Sequence, residues 1–377
     1  MPRRPVAVLA TIVIIVALAI LAGFSPFRWY EAALVLADLA AGAKPTRLKA
    51  GTPTPKRIGI PYTVEGRTYR GDLYLPGERP EAGLVLLPGA AEQGKDDPRL
   101  VAFALTLARA RFAVLVPDME GFRSLQVGSR DIGETADAFA YLSSRPDLAP
   151  GGKCGIAAIS YAAGPAVLAA LEHRVRDRVR FIVTIGGYYN LTNVLTFFTT
   201  GWYRDGERWR HMEPNHYGKW VFVLSNIDRL SDPADRKLFR IAAGRKMDDI
   251  NAPIDDLAAR LGPEGSSLYE FIVNTEPRRV PLLIERLPVA IRREMALLDP
   301  SSRDLAGLTA RMVIVHGRDD DIIPAAESIA LAGAVPAHRR RLFVTEGLMH
   351  AELKPGLADA WRLWRAVCAI LRERDRR

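Results

Sequence analysis

The stretch from Lys153 to Leu171 constrains this chain more than any other. KCGIAAIS is apolar and β-prone up to Ser160, and YAAGPAVLAAL begins an Ala- and Leu-rich helical pattern almost at once. Ser160 therefore falls on a sharp strand-to-helix turn, with Ala158, Ala162 and Gly164 as small neighbours. A turn of this kind lifts a hydroxyl above the edge of a sheet and aims a helix N-terminus at negative charge forming there. The usual pattern, G-x-S-x-G, is written here as A-I-S-Y-A, with alanine at both glycine positions. A serine that simply caps a helix after a buried strand leaves the same local trace. The rest of the chain has to decide between them.

Around this turn the chain alternates strand and helix. Strands are expected at 57–64 and 68–75, joined by the hairpin-like pair Glu65-Gly66, then at 83–87, 113–117, 153–160 and 181–186. Helices are expected at 98–111, 131–145 and 163–174. Continuous apolar strands between helices imply an α/β class with a mostly parallel, doubly wound sheet covered on both faces. The rhythm breaks from 191 to 307, where the pattern is helical and rich in Arg and Asp, with 219–224 readable as strand or helix. It resumes with strands at 311–316 and 341–345 and helices at 324–334 and 357–372. A helical insertion between two strands of one sheet has the position of a cap. The expected organisation is thus a first core part at 55–190, a cap at 191–307 and a second core part at 308–377. Ten of the chain's 30 aromatic residues fall between Tyr188 and Phe222. They suit either the cap's own core or an apolar wall over a substrate pocket.

Ahead of the core, residues 6–24 are uncharged and strongly apolar behind Arg3 and Arg4, long enough to span a bilayer. We expect residues 1–25 to be a single-pass signal anchor, with the body on the outer, periplasmic side of the inner membrane. Secretion after cleavage near Ala17-Leu18-Ala19 is the alternative. Residues 26–54 read as a juxtamembrane helix followed by a Pro- and Thr-punctuated linker, with Trp29 and Tyr30 at the membrane interface. The net charge of +9 comes from Arg scattered among acids, with no nucleic-acid reading module, so no nucleic-acid partner is expected. Two cysteines, Cys154 in a strand and Cys368 in the last helix, read as small core residues rather than a disulfide.

Two further sites fall where Ser160 needs them. After strand 311–316 comes HGRDDDIIP, containing Asp320; after strand 341–345 comes EGLMHAE, containing His350. Serine, aspartate and histidine each follow a parallel strand, so all three converge on one edge of the sheet. A serine hydroxyl is a weak nucleophile until an imidazole takes its proton, and a carboxylate fixes that imidazole's tautomer. The oxyanion would be held by the backbone N–H of Tyr161 and that of Ala90 or Ala91 in LLPGAAEQG. Asp319 and Asp321 rival Asp320. His316, ending a strand, reads as structural, and His211 and His216 have poor metal spacing; no metal or organic cofactor is expected.

Five motifs in chain order resemble the α/β-hydrolase superfamily over about residues 55–190 and 308–377. LLPGAA is similar to its oxyanion loop, with Pro88 where histidine is common; FAVLVPDMEGF resembles its fourth-strand motif, AISYAAG its elbow, HGRDDDIIP its acid loop and GLMH its histidine loop. Serine at 160 is unlike the aspartate of epoxide hydrolases and dehalogenases or the cysteine of dienelactone hydrolases. The resemblance implies an α/β-hydrolase sheet and a serine hydrolase, with carboxylic esters the leading substrates; the aromatic cap and the N-terminal tether lean towards apolar acyl groups. Peptide or amide cleavage, acyl transfer and a non-catalytic, membrane-anchored binding role are the alternatives. One decoy stands apart: Gly89 to Lys95 fits GxxxxGK between a strand and a helix, but Asp96 replaces the Ser or Thr that would ligate magnesium.

Overall fold

The computed structural model describes residues 25–346, 348–349, 352–353 and 357–376. Residues 6–24, assigned above to a membrane anchor, and His350 lie outside them. Among the described residues no helix is long and apolar enough to cross a membrane.

Eight strands form one sheet: β1 (Lys56–Val64), β2 (Arg67–Leu75), β3 (Ala82–Leu87), β4 (Phe112–Pro117), β5 (Cys154–Ile159), β6 (Phe181–Ile185) and, after the insertion, two more. Within the insertion Trp202–Asp205 (β7) and Arg208–His211 (β8) pair only with each other; β9 (Arg311–Gly317) and β10 (Arg340–Thr345) complete the main sheet. The strand order is β1-β2-β4-β3-β5-β6-β9-β10. From β4 to β10 every pairing is parallel, and β2 runs antiparallel to both its neighbours. β3 and β4 are buried along their whole length, as strands covered on both faces must be. Glu65 and Gly66 both take positive φ, +48° and +80°, the turn whose twist matches a two-residue hairpin.

On one face of the sheet lie α3 (Arg130–Ser143) and α4 (Ala163–Ala169), reached after α1 (Pro26–Ala41) and α2 (Pro98–Arg109) on the other. The last helix, Leu357–Asp375, packs with α1 and shares an apolar layer with α2. Ser25 caps α1, and Ala32 and Val35 are buried in the same apolar layer as Leu363 and Val367. Charge locks the two terminal helices together. Arg374 is only 6% exposed, bonded to Glu31 and to the Ala110 carbonyl at 2.7 Å. Trp364 donates its indole N–H to the Trp29 carbonyl at 2.9 Å.

The 125 residues between β6 and β9 form a cap with its own apolar core, built from side chains such as Phe197, Trp220, Phe239, Phe271 and Ile291. Residues 219–224 are helical, within Tyr217–Asn226. Beside the expected helices the insertion carries the β7–β8 hairpin, which turns on Gly206 at φ +62°. Its strands are short, and Trp202, Tyr203 and Trp209 give no clean alternation of buried and exposed positions.

Candidate active site

Ser160 ends β5 with φ +56°, a left-handed backbone for a residue with a Cβ, at a cost of about 1–2 kcal/mol. A single 3₁₀ turn, Ser160–Ala162, leads into α4. Ala158 and Ala162, at the two pattern positions, are completely buried. The need for glycine has moved elsewhere. A Cβ at Gly164 would collide with the Tyr188 ring, and one at Gly187 with the Cβ of Ala163. The loop after β3 passes close by, since a Cβ on Gly89 would stand 3.4 Å from that of Ser160.

Ser160, Tyr161, Ala90 and Asp320 line one cavity of about 730 Å³. Three segments far apart in sequence thus meet at the carboxyl edge of the sheet, as the parallel topology requires. Among the described residues, the backbone N–H of Ala90 donates to no protein group, while its carbonyl accepts from the Tyr217 hydroxyl at 3.0 Å. A cap tyrosine therefore holds the loop that presents this free donor.

Of the three neighbouring acids, Asp320 alone is buried, at 3% exposure; Asp319 is exposed and Asp321 half-buried. Asp320 Oδ1 accepts the backbone N–H groups of Ile322 and Ile323, each at 2.9 Å. Its Oδ2 lies beside Gly186, where a Cβ would approach to 3.2 Å. The imidazole of His316 is wholly buried behind it, with Nδ1 2.6 Å from Ser328 Oγ and Nε2 2.7 Å from the Ile323 carbonyl. One nitrogen is held by the acid loop and the other by the helix that follows it, so His316 braces that loop and does not border the cavity.

Several functional neighbours left no signal in the sequence. The Tyr161 hydroxyl donates to Asp131 Oδ2 at 3.1 Å, and that oxygen also accepts the Gly128 N–H at 2.8 Å. Burial pushes the Asp131 carboxyl up to about 7, and Tyr161 also rises well above its ordinary value, burial again being the main cause. Glu294 of the cap accepts from the Ser129 N–H and, at 3.1 Å, from its hydroxyl, and pairs with Arg229 at 2.7 Å. Ser225 bridges the same loop, accepting the Val127 N–H and donating to the Leu125 carbonyl, both at 3.1 Å. The cap is thereby latched beside the nucleophile's neighbour.

The cap aromatics divide between the two roles. Phe197 and Trp220 lie in the cap's core away from the cavity, whereas Tyr188, Phe198, Tyr217 and Phe222 line it. Lys95, the lysine of the phosphate-loop pattern, is engaged by Asp72 at 3.2 Å and Asp96 at 3.1 Å. Two carboxylates facing that ammonium are the opposite of a phosphate cradle. No three side chains among the described His, Cys, Asp and Glu residues are grouped to hold a metal ion. Both cysteines are free.

No protein-family model matches the sequence, and no curated protein is similar to it in sequence. Solved structures are similar in shape. A protein from Legionella pneumophila subsp. pneumophila str. Philadelphia 1, provisionally assigned as a hydrolase, superposes with TM-score 0.53 at 12% identity, over 86% of this chain and 91% of its own. A mutant of the rice cell wall degrading esterase LipA from Xanthomonas oryzae gives TM-score 0.54 at 16% identity, over 83% and 88%. Strand order, the single antiparallel strand inside the sheet, the serine turn after β5 and these superpositions together give the chain the α/β-hydrolase fold.

Proposed function

We propose that this chain is a membrane-tethered serine hydrolase that cleaves carboxylic esters through an acyl-enzyme. The observation that carries the reading is Ser160, held with a left-handed backbone at the mouth of a helix and opening on the same cavity as the buried Asp320. Ser160 Oγ attacks the acyl carbon while His350 takes its proton, and Asp320 orients His350. The oxyanion that forms accepts from the N–H groups of Tyr161 and Ala90. As it collapses, the carbon–oxygen bond to the alcohol breaks and His350 returns the proton to the leaving oxygen. Water, deprotonated by His350, then adds to the acyl carbon and frees Ser160 with the carboxylic acid.

The free N–H of Ala90 and the anchoring of Tyr161 through Asp131 support this assignment of the donors. The apolar run at 6–24 behind two arginines supports a tether in the inner membrane, with the catalytic body on its outer side. The deciding experiment is hydrolysis of p-nitrophenyl esters by the full chain and by Ser160→Ala. We expect a loss of at least about 10³-fold in kcat/KM. Activity surviving the substitution would overturn the nucleophile. Turnover of amides in preference to esters would transfer the same site to the peptidase alternative.

A further inference from the structure

The cavity at Ser160 does not stop beneath the cap. It straddles the carboxyl edge of the sheet, and its second limb runs on the opposite face, between α1, α2 and the C-terminal helix. That limb is walled by Leu36 and Leu39 of α1, Phe103 of α2, and Leu363, Val367 and Ile370 of the last helix. Ile159, Ile185 and Val315, side chains of that face of the sheet, join it to the serine. Its polar lining is already satisfied: Asp38 binds Lys49 at 3.0 Å, the Thr106 hydroxyl at 2.7 Å, and Thr46. Walls of this composition suit an apolar guest.

The limb under the cap mixes apolar side chains, among them Leu195, Phe198 and Phe222, with Asn215, Ser225, Asn226 and Glu294, and Asn226 is buried with its Oδ1 unpartnered. That unpartnered acceptor suits the polar end of a substrate. Resting on the ester-hydrolase reading, we propose that the limb between α1, α2 and the C-terminal helix takes a long unbranched acyl chain, with the polar leaving group under the cap. Its source is a bilayer lipid. Two of the three helices, α1 and the last, also present Phe27 (88% exposed), Tyr30 (60%) and Trp361 (53%), side chains suited to a membrane interface. α1 begins directly after the apolar residues 6–24.

The test uses the full chain in phospholipid nanodiscs and two fluorophosphonates, one ethyl and one hexadecyl. The rate of Ser160 phosphonylation is read by mass. Burial is worth about fourfold in binding per methylene, so the hexadecyl probe should label the native chain at least tenfold faster. Ala366→Phe and Leu36→Trp both reduce the limb, and the hexadecyl-to-ethyl ratio should fall at least tenfold in each. Ethyl labelling of each variant reports that it is folded, and either variant alone suffices. An unchanged ratio overturns the proposal, as does a ratio that falls for Phe198→Trp under the cap and not for these two. If neither probe labels native Ser160, the hydrolase reading itself falls and takes the proposal with it.

Discussion

Asp131 offers the most quantitative check on the physics of the site. It is wholly buried at the start of α3, holding the Tyr161 hydroxyl and the Gly128 N–H on one oxygen, while the other has no hydrogen-bond partner. Burial lifts its pKa from 3.8 to about 7. A raised folded-state value means that the folded chain keeps a proton the unfolded chain has lost. The stability this confers is complete below about pH 4 and is lost as pH rises through 7. Integrated between pH 5 and pH 8, the loss is about 2.5 kcal/mol. Asp131→Asn is nearly isosteric, keeps an acceptor for Tyr161 and cannot ionise. Its stability relative to the native chain should therefore rise by about 2.5 kcal/mol between pH 5 and pH 8. Thermal unfolding of both proteins across that range measures the difference, in which all other titrating groups cancel. A difference that stays flat, or falls with pH, would refute the claim that Asp131 is held neutral by burial.

Other substitutions probe the packing around the same turn. Gly164→Ala drives a methyl into the Tyr188 ring, whose hydroxyl bonds the Leu298 carbonyl at 2.8 Å; it should cost about 2 kcal/mol in thermal unfolding. Glu294→Ala leaves the Ser129 N–H without its acceptor and Arg229 without its carboxylate, costing about 2 kcal/mol. It should show as faster hydrogen exchange and proteolysis confined to residues 191–307.

The sheet was legible because β3, β4, β5 and β6 are short apolar runs bounded by helices, and burial on both faces demands that composition. The Ser160 turn was legible for a similar reason: few sequences pass from a buried strand into a helix within one residue. Asp320 and its two neighbours look alike in one dimension, and only the fold of the loop, which turns Ile322 and Ile323 back onto one carboxylate, separates them. Asp131, Glu294 and Ser225 were invisible as functional neighbours, since each acts across a tertiary contact on a segment remote in sequence. The hairpin at 202–211 was missed because its strands are short and mostly solvent-facing, so no period-two burial pattern marks them.

The cap also bears on how the sheet is completed. β6 and β9 are neighbours in space but are divided by 125 residues. Bringing the ends of a flexible segment that long together costs about 4 kcal/mol in chain entropy. The cap has its own apolar core, and its two ends are tied where Ser301 N–H meets the Tyr189 carbonyl at 3.0 Å. Once it has collapsed, β9 is delivered to β6 as though the connection were short. A lesion in the cap's core should therefore slow the pairing of β9 with β6, leaving β9 and β10 without an edge to join.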